Sequence, residues 1–159
     1  MQNEYKIQKI ISSDLSRARQ TADIINSELE LPIEYTEKLR EMNNGELAGM
    51  LNRDAEKLYP GLYANTLEMD EKYPNGESPI EFYNRIAKNF REIIDENKNL
   101  NNIMLVTHSG VINIIYHIVK KQEWSNKKKN FKISYASLHR IVFKNDMMFI
   151  DIENFKTVD

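Results

Sequence analysis

Three short segments carry the side chains that could do chemistry, and the first of them holds two arginines. Arg17 and Arg19 follow Ser12-Ser13-Asp14, and the spacing of the apolar residues after them predicts that both lie at the start of a helix. Positive side chains are unfavourable at that end of the helix dipole. A bound anion would remove the conflict, because backbone N–H groups and a guanidinium could contact it together. The alternative is a pair of surface arginines without a ligand.

The second segment is Thr107-His108-Ser109-Gly110. The apolar run Ile103 to Val106 before it predicts a buried strand, and Val111 to Val119 after it predicts a buried helix. A histidine between a strand and a helix lies where α/β sheets bind ligands, close to the N–H groups of a helix N-terminus that suit a phosphate. A packed or surface histidine is the alternative interpretation.

The third segment places Glu41 after Leu39-Arg40 and before Gly45 and Gly49. The glycines and asparagines predict a loop or turn from Leu39 to Gly49. A carboxylate in such a loop can act as a general acid, although a solvated loop residue is the commoner case. The other two histidines, His117 and His139, are interpreted as structural or surface residues.

The elements that must hold these segments alternate between strand and helix, which predicts an α/β fold: a three-layer αβα sandwich with a mostly parallel sheet and an antiparallel C-terminal hairpin. Ser12-Ser13-Asp14 is predicted to cap the helix that follows it, and Ser78 with Pro79 and Glu81 is predicted to form a capping box. The predicted strands are Ile7 to Ile11, Ile33 to Tyr35 and Ile103 to Val106; the predicted helices are Leu15 to about Leu29, Asn52 to Leu58, Ser78 to about Asn97 and Val111 to Val119; the hairpin runs from Leu138 to Ile152.

Composition narrows the function classes. The 159 residues are expected to form a single domain, 1–159, and the net charge of −2 gives no field that would attract nucleic acid or an anionic membrane. There is no cysteine, which excludes disulfides and thiol nucleophiles. No cluster of histidines and carboxylates has metal-ligand spacing, so no metal and no cofactor are expected. No apolar run reaches the roughly 18 residues of a membrane span, and we expect a cytoplasmic protein.

Taken together, the segments resemble the histidine phosphatase superfamily, which includes the cofactor-dependent phosphoglycerate mutases. The resemblance covers roughly residues 7 to 153, and five motifs occur in the family's order. The matching motifs are Ile11 to Ala22, Leu39-Arg40-Glu41 with Gly45 and Gly49, Tyr59-Pro60-Gly61, Gly76-Glu77-Ser78, and Val106 to Val111.

The resemblance implies roles for five residues and a phosphate ester or phosphate anion as the ligand. Arg17 matches the family's second phosphate-binding arginine, and Glu41 matches the acid or base that serves the leaving oxygen or water. His108 matches the second histidine, which hydrogen-bonds the transferred phosphoryl group. Ser109 and Gly110 follow it where backbone N–H groups can approach an oxyanion. Such a site acts by positioning and charge neutralisation, and the resemblance implies that no metal takes part.

One family motif has no counterpart. Members open with a strand carrying Arg-His-Gly, whose histidine becomes phosphohistidine, but only residues 1–11 precede Ser12 and the triplet occurs nowhere in the chain. We therefore expect the N-terminal strand and helix to be missing and the chain alone to be inactive, because nothing replaces the attacking nitrogen. The missing strand would lie beside the one that ends at His108. Its absence predicts a rearranged strand or a homo-oligomer paired through the exposed sheet edge.

Three functional hypotheses remain open. In the first, a parent protein is an active phosphomonoesterase or mutase, and this chain begins at a late start codon or is a fragment of it. A phosphatase is favoured over a phosphoglycerate mutase, because the chain is short for the insertions of a mutase. In the second, the chain is a non-catalytic anion-binding or interaction module. In the third, it is a remnant without a role.

Overall fold

The computed structural model describes residues 5–128, 131–145 and 147–156. Within them the chain divides into two compact units, one formed by residues up to Glu41 with Arg85–Val111 and the other by Met42–Asn84 with the residues from Ile112 onward. No helix in these ranges is long and apolar enough to cross a membrane. The elements are β1 (Lys9–Ser13), α1 (Ser16–Leu29), β2 (Ile33–Thr36), α2 (Asn52–Leu58), α3 (Pro79–Glu96), β3 (Ile103–Val106), α4 (Ser109–Val119), β4 (Leu138–Lys144) and β5 (Met147–Phe155).

The first unit is built on a parallel sheet with the strand order β2-β1-β3. Strand β1 is the central strand, and Ile10 pairs with Ile33 on one side and Met104 on the other. Helix α1 packs on the sheet through Ala18 and Ala22, which are buried in one cluster with Ile10. Because alanine side chains are small, the helix lies close to the sheet, and its first turn stands beside the carboxyl ends of β1 and β3.

The sequence prediction for β1 was displaced by two residues. Ser12 and Ser13 do not cap α1; they are fully buried strand residues, paired with Tyr35 and Thr36 of β2. The N-cap position is Leu15, which has no side-chain cap bond. The serines have strong capping propensity, but the ladder to β2 holds both in the strand, and Ser12 also pairs with Val106 of β3.

Strand β3 has the predicted bounds but not the predicted burial. Ile103, Met104 and Leu105 are only partly buried, and Val106 alone is buried. In the described part of the chain, β1 is the one strand that pairs with β3, so its other edge carries unpaired backbone groups. The first unit thus has an open sheet edge directly before His108.

The second unit contains the antiparallel hairpin of β4 and β5, in which Ile141 faces Ile150 and Val142 faces Phe149. Trp124 stacks on Tyr83 with ring centroids 5.6 Å apart. At the start of α3 the predicted capping box is present: the Ser78 N–H donates to Glu81 Oε2 at 3.1 Å, and the Glu81 N–H donates to Ser78 Oγ at 3.3 Å. The α/β fold with a parallel sheet and a C-terminal antiparallel hairpin is confirmed.

Candidate functional site

The first unit brings Arg17 and His108 into contact. Strands β1 and β3 are parallel neighbours, so the residues that follow them meet at the same edge of the sheet. His108 lies in the turn between β3 and α4 and is 7% exposed. Arg17, in the first turn of α1, donates its Nε–H to His108 Nδ1 at 3.2 Å. Two residues 91 positions apart therefore share one site.

The contacts of His108 define its tautomer. A guanidinium can only donate hydrogen bonds, so Nδ1 must be the unprotonated nitrogen that accepts from Arg17. The ring proton then sits on Nε2, which donates to Ser13 Oγ at 2.9 Å. The Leu15 N–H is 3.4 Å from the same hydroxyl oxygen. Both ring nitrogens of His108 are thus engaged within the protein.

The imidazole of His108 is held in its neutral form. Burial, and to a smaller extent the positive charge of Arg17, lower the pKa of His108 from its ordinary value of 6.5 to about 4. Both effects act against the charged form, the first through lost solvation and the second through like-charge repulsion. Near neutral pH, His108 is therefore uncharged, and Arg17 alone carries the positive charge of the contact between these two residues.

The two arginines of α1 have different surroundings. Arg19 lies over the Tyr35 ring, 4.2 Å from its centroid. For Arg17, no carboxylate of the described residues lies within ion-pair distance. Helix α1 also has no acidic residue in its first turn. The positive charge of Arg17 and the positive end of the helix dipole are therefore both available to an anion.

Glu41 is held at the other side of the turn after β3. The N–H of Gly110, the second residue of α4, donates to Glu41 Oε2 at 3.0 Å. Arg85 donates to the backbone carbonyl oxygens of Arg40 and Glu41, each at 3.2 Å. The side chain of Arg40 forms two hydrogen bonds with Asp14 at 2.7 and 2.5 Å, which hold the pKa of the Asp14 carboxyl below its usual value.

Four of the five predicted site residues therefore form two contacting pairs, and the fifth, Ser109, is exposed. Arg17 and His108 meet, and Glu41 and Gly110 meet, all within the first unit. The Gly110 N–H, expected from the family resemblance to approach an oxyanion, is bonded to a carboxylate of the protein itself. Ser109 begins α4 and is exposed.

Three further residues contribute to the site. Ser13 binds the ring of His108, and Arg85 binds the backbone at Glu41. Thr107 donates its hydroxyl to the Leu39 carbonyl at 2.8 Å, which ties β3 to the loop before Glu41. Ser13 belongs to a motif that the sequence already marks, so its polar position at a strand end was a usable signal. Arg85 had no such signal, since it contacts a residue 44 positions away.

The remaining histidines have structural surroundings. His117 is fully buried, with Nδ1 2.7 Å from the Asn113 carbonyl oxygen. His139 accepts the Asn154 N–H at Nδ1, so its proton sits on Nε2, 2.9 Å from Ser137 Oγ. Across residues 5–128, 131–145 and 147–156, no group of three histidines and carboxylates could hold a metal ion.

Comparisons with known proteins agree on one family. Residues 1–155 match the model of the histidine phosphatase superfamily (branch 1). The chain is 34% identical over 120 residues to phosphoglycerate mutase-like protein 4 of Arabidopsis thaliana, covering 73% of this chain and 52% of that protein. It is 32% identical over 117 residues to a broad-specificity phosphatase of Saccharomyces cerevisiae, covering 70% of this chain and 49% of that protein.

Solved structures of similar fold are also found. The structure is similar to the α-ribazole phosphatase of Shigella flexneri, with a TM-score of 0.82 and 22% identity over 96% of this chain and 75% of that one. At that identity the likeness is one of fold. The chain spans about half the length of the curated relatives it matches.

Proposed function

The chain belongs to the histidine phosphatase superfamily (branch 1), and we propose that its site binds the phosphate group of a small phosphomonoester at Arg17 and His108. The observation that carries the proposal is the contact between Arg17 Nε and His108 Nδ1 at the first turn of α1. A guanidinium without a carboxylate partner, next to free helix N–H groups, favours a compact dianion over a neutral ligand.

The residues divide the work of phosphoryl transfer between them. Arg17 neutralises charge on the phosphoryl oxygens, where the transition state spreads it. His108 accepts the Arg17 Nε–H at Nδ1 and so orients the guanidinium, and its own ring can donate to a phosphoryl oxygen from Nδ1 only after it takes up a second proton. Glu41 serves the leaving oxygen or the attacking water as acid or base. No step in this assignment needs a metal ion.

We also propose that this chain, by itself, binds phosphate without turning it over. The family resemblance assigns the attack on phosphorus to a histidine in an Arg-His-Gly triplet, which the sequence does not contain. The three histidines present all have ring nitrogens bonded within the protein. Without an in-line nitrogen the covalent route through phosphohistidine is closed.

Phosphatase chemistry is the first candidate for the whole protein, and phosphoglycerate mutase is the second. The name of the yeast relative, a broad-specificity phosphatase, supports the first, whereas the name of the Arabidopsis relative favours the mutase. A non-catalytic anion-binding or interaction module is a third candidate, favoured by the contact of Arg17 with His108 in a chain without the triplet.

Turnover and phosphate binding test two parts of the proposal, the inactivity of the chain alone and the presence of the anion site. With p-nitrophenyl phosphate as substrate, the purified chain should release nitrophenol no faster than its His108→Ala variant, while inorganic phosphate still binds in a calorimetric titration. Steady turnover that is lost in both Arg17→Ala and His108→Ala would refute the inactive chain. The absence of any phosphate binding would refute the anion site.

A second copy of the chain is the partner we propose for the open edge of β3, because unpaired strand edges readily pair with another strand. The expected result is a dimer mass in light scattering at micromolar concentration. A monomer at all concentrations would contradict this pairing. We further propose a cytoplasmic location without nucleic-acid or membrane partners, which cell fractionation tests.

A further inference from the structure

Gly110 occupies a position where a side chain would collide with Glu41. A methyl carbon built on Gly110 would lie 3.0 Å from Glu41 Cδ, 3.1 Å from Oε2 and closer still to Oε1. The positive-φ glycines of the described residues are Gly45, Gly49 and Gly61, so the backbone of Gly110 does not itself demand glycine. Alanine would favour the helix at this position. A methyl group at this position would therefore displace the end of the Glu41 side chain from the place that its carboxylate now fills.

Gly110 also supplies the hydrogen bond that holds the carboxylate. Its N–H lies in the first turn of α4 and is 3.0 Å from Glu41 Oε2. The first N–H groups of a helix have no partner within the helix, and a carboxylate placed there gains from both the hydrogen bond and the helix dipole. Gly110 thus provides both the space for the Glu41 carboxylate and an N–H that donates to it.

Arg85 fixes the other end of the Glu41 residue, its backbone. The two terminal nitrogens of Arg85 donate to the carbonyl oxygens of Arg40 and Glu41, each at 3.2 Å. These are charge-assisted bonds to two successive peptide groups of the loop that carries Glu41. With the backbone held by Arg85 and the carboxylate held by Gly110, the direction of the Glu41 side chain is defined at both ends.

We infer that Gly110 and Arg85 are positioning residues for Glu41, Gly110 through space and an N–H donor, and Arg85 through the loop backbone. The inference rests on the proposed acid–base role of Glu41, because a proton donor or acceptor works only when it is held within reach of the reacting group. It reassigns the Gly110 N–H from the substrate to the carboxylate.

The first test follows the Gly110 amide by NMR in the full chain, with the pH varied through the carboxyl range. The Gly110 amide proton of the unmodified chain should shift as Glu41 titrates, and this shift should vanish in Glu41→Gln. In Arg85→Lys, which keeps the charge but loses the two-pronged contact, the shift should shrink by at least about half. Arg91→Lys, an exposed site on the same helix, should leave the shift unchanged.

The second test is a thermal double-mutant cycle. Gly110→Ala should raise Tm by roughly 2–4 °C in the Glu41→Ala background, where alanine only improves the helix. In the background that retains Glu41, the same change should give no gain or a loss, because the methyl group displaces the carboxylate. Equal shifts in the two backgrounds, or a Gly110 amide that ignores Glu41, would overturn the inference.

The phosphate titration separates this inference from the proposed function. If phosphate fails to bind but the Gly110 amide follows Glu41, the anion site is wrong and the positioning inference stands. If saturating phosphate binds and takes over the Gly110 amide, so that its shift no longer depends on Glu41, the N–H belongs to the anion and the inference fails.

Discussion

Replacing Arg17 with alanine is expected to weaken the binding of inorganic phosphate by roughly 10- to 100-fold. The variant loses charge-assisted hydrogen bonds worth about 1.5–3 kcal/mol, and the first turn of α1 loses the cation for which no carboxylate of the described residues compensates. Isothermal titration with phosphate at fixed ionic strength measures the change. Arg17 is exposed, so the fold should survive the substitution, and circular dichroism checks that it does.

Arg19→Ala is the matched control for this prediction. It removes the same charge from the same turn of the same helix, but Arg19 lies over Tyr35 instead of contacting His108. We expect its phosphate affinity to stay within about twofold of the unmodified chain, because its guanidinium lies over the Tyr35 ring and acts on an anion beside His108 only through a screened field. Equal losses in the two variants would mean that a diffuse field, and not a site built on Arg17, attracts the anion.

Lowering the pH should destabilise the folded chain through His108 by about 3 kcal/mol between pH 7 and pH 4. The pKa of His108 is lowered to about 4 in the folded state from 6.5, mainly by burial and further by Arg17. The unfolded chain therefore takes up its proton first as the pH falls. The stabilisation is complete above about pH 6.5 and is lost between there and pH 4.

Urea unfolding at a series of pH values tests this dependence. The His108→Gln variant keeps a polar side chain but cannot titrate, so the difference between its stability profile and that of the unmodified chain isolates His108. This subtraction is needed because burial also lowers the pKa of His139. Parallel profiles of the two proteins would show that His108 titrates normally in the folded state and would contradict its burial against Arg17.

Local sequence patterns predicted the bounds of two elements correctly. The run Ile103 to Val106 and the segment Asn52 to Leu58 were placed with the observed bounds, because apolar residues mark the first and the turn residues Pro60-Gly61 follow the second. The end of β1 was misplaced because Ser12 and Ser13 are held by strands that lie far along the chain. Propensity describes a residue and its neighbours, whereas a ladder depends on which strand arrives beside it.

The same distinction applies to the site. The sequence selected Arg17, Glu41 and His108 from motifs, and the structure shows which of them touch. The bond between Ser13 and His108 and the bonds from Arg85 span 95 and 44 or more positions, and no spacing rule reaches that far. The Gly110 N–H was predicted to approach an oxyanion, whereas in the structure it donates to Glu41. A motif identifies the residues at the start of a helix but does not tell which carboxylate folds onto them.

Because α1 packs closely on the sheet, the phosphate affinity of the site depends on this packing distance as well as on charge. Ala18 and Ala22 are nearly inaccessible against the sheet, and the guanidinium belongs to the residue immediately before Ala18. A larger side chain at position 18 would push α1 away from the sheet and would separate Arg17 from His108, although no charge would change. The phosphate affinity of the site therefore depends also on the small side chains beneath α1, which do not contact the ligand.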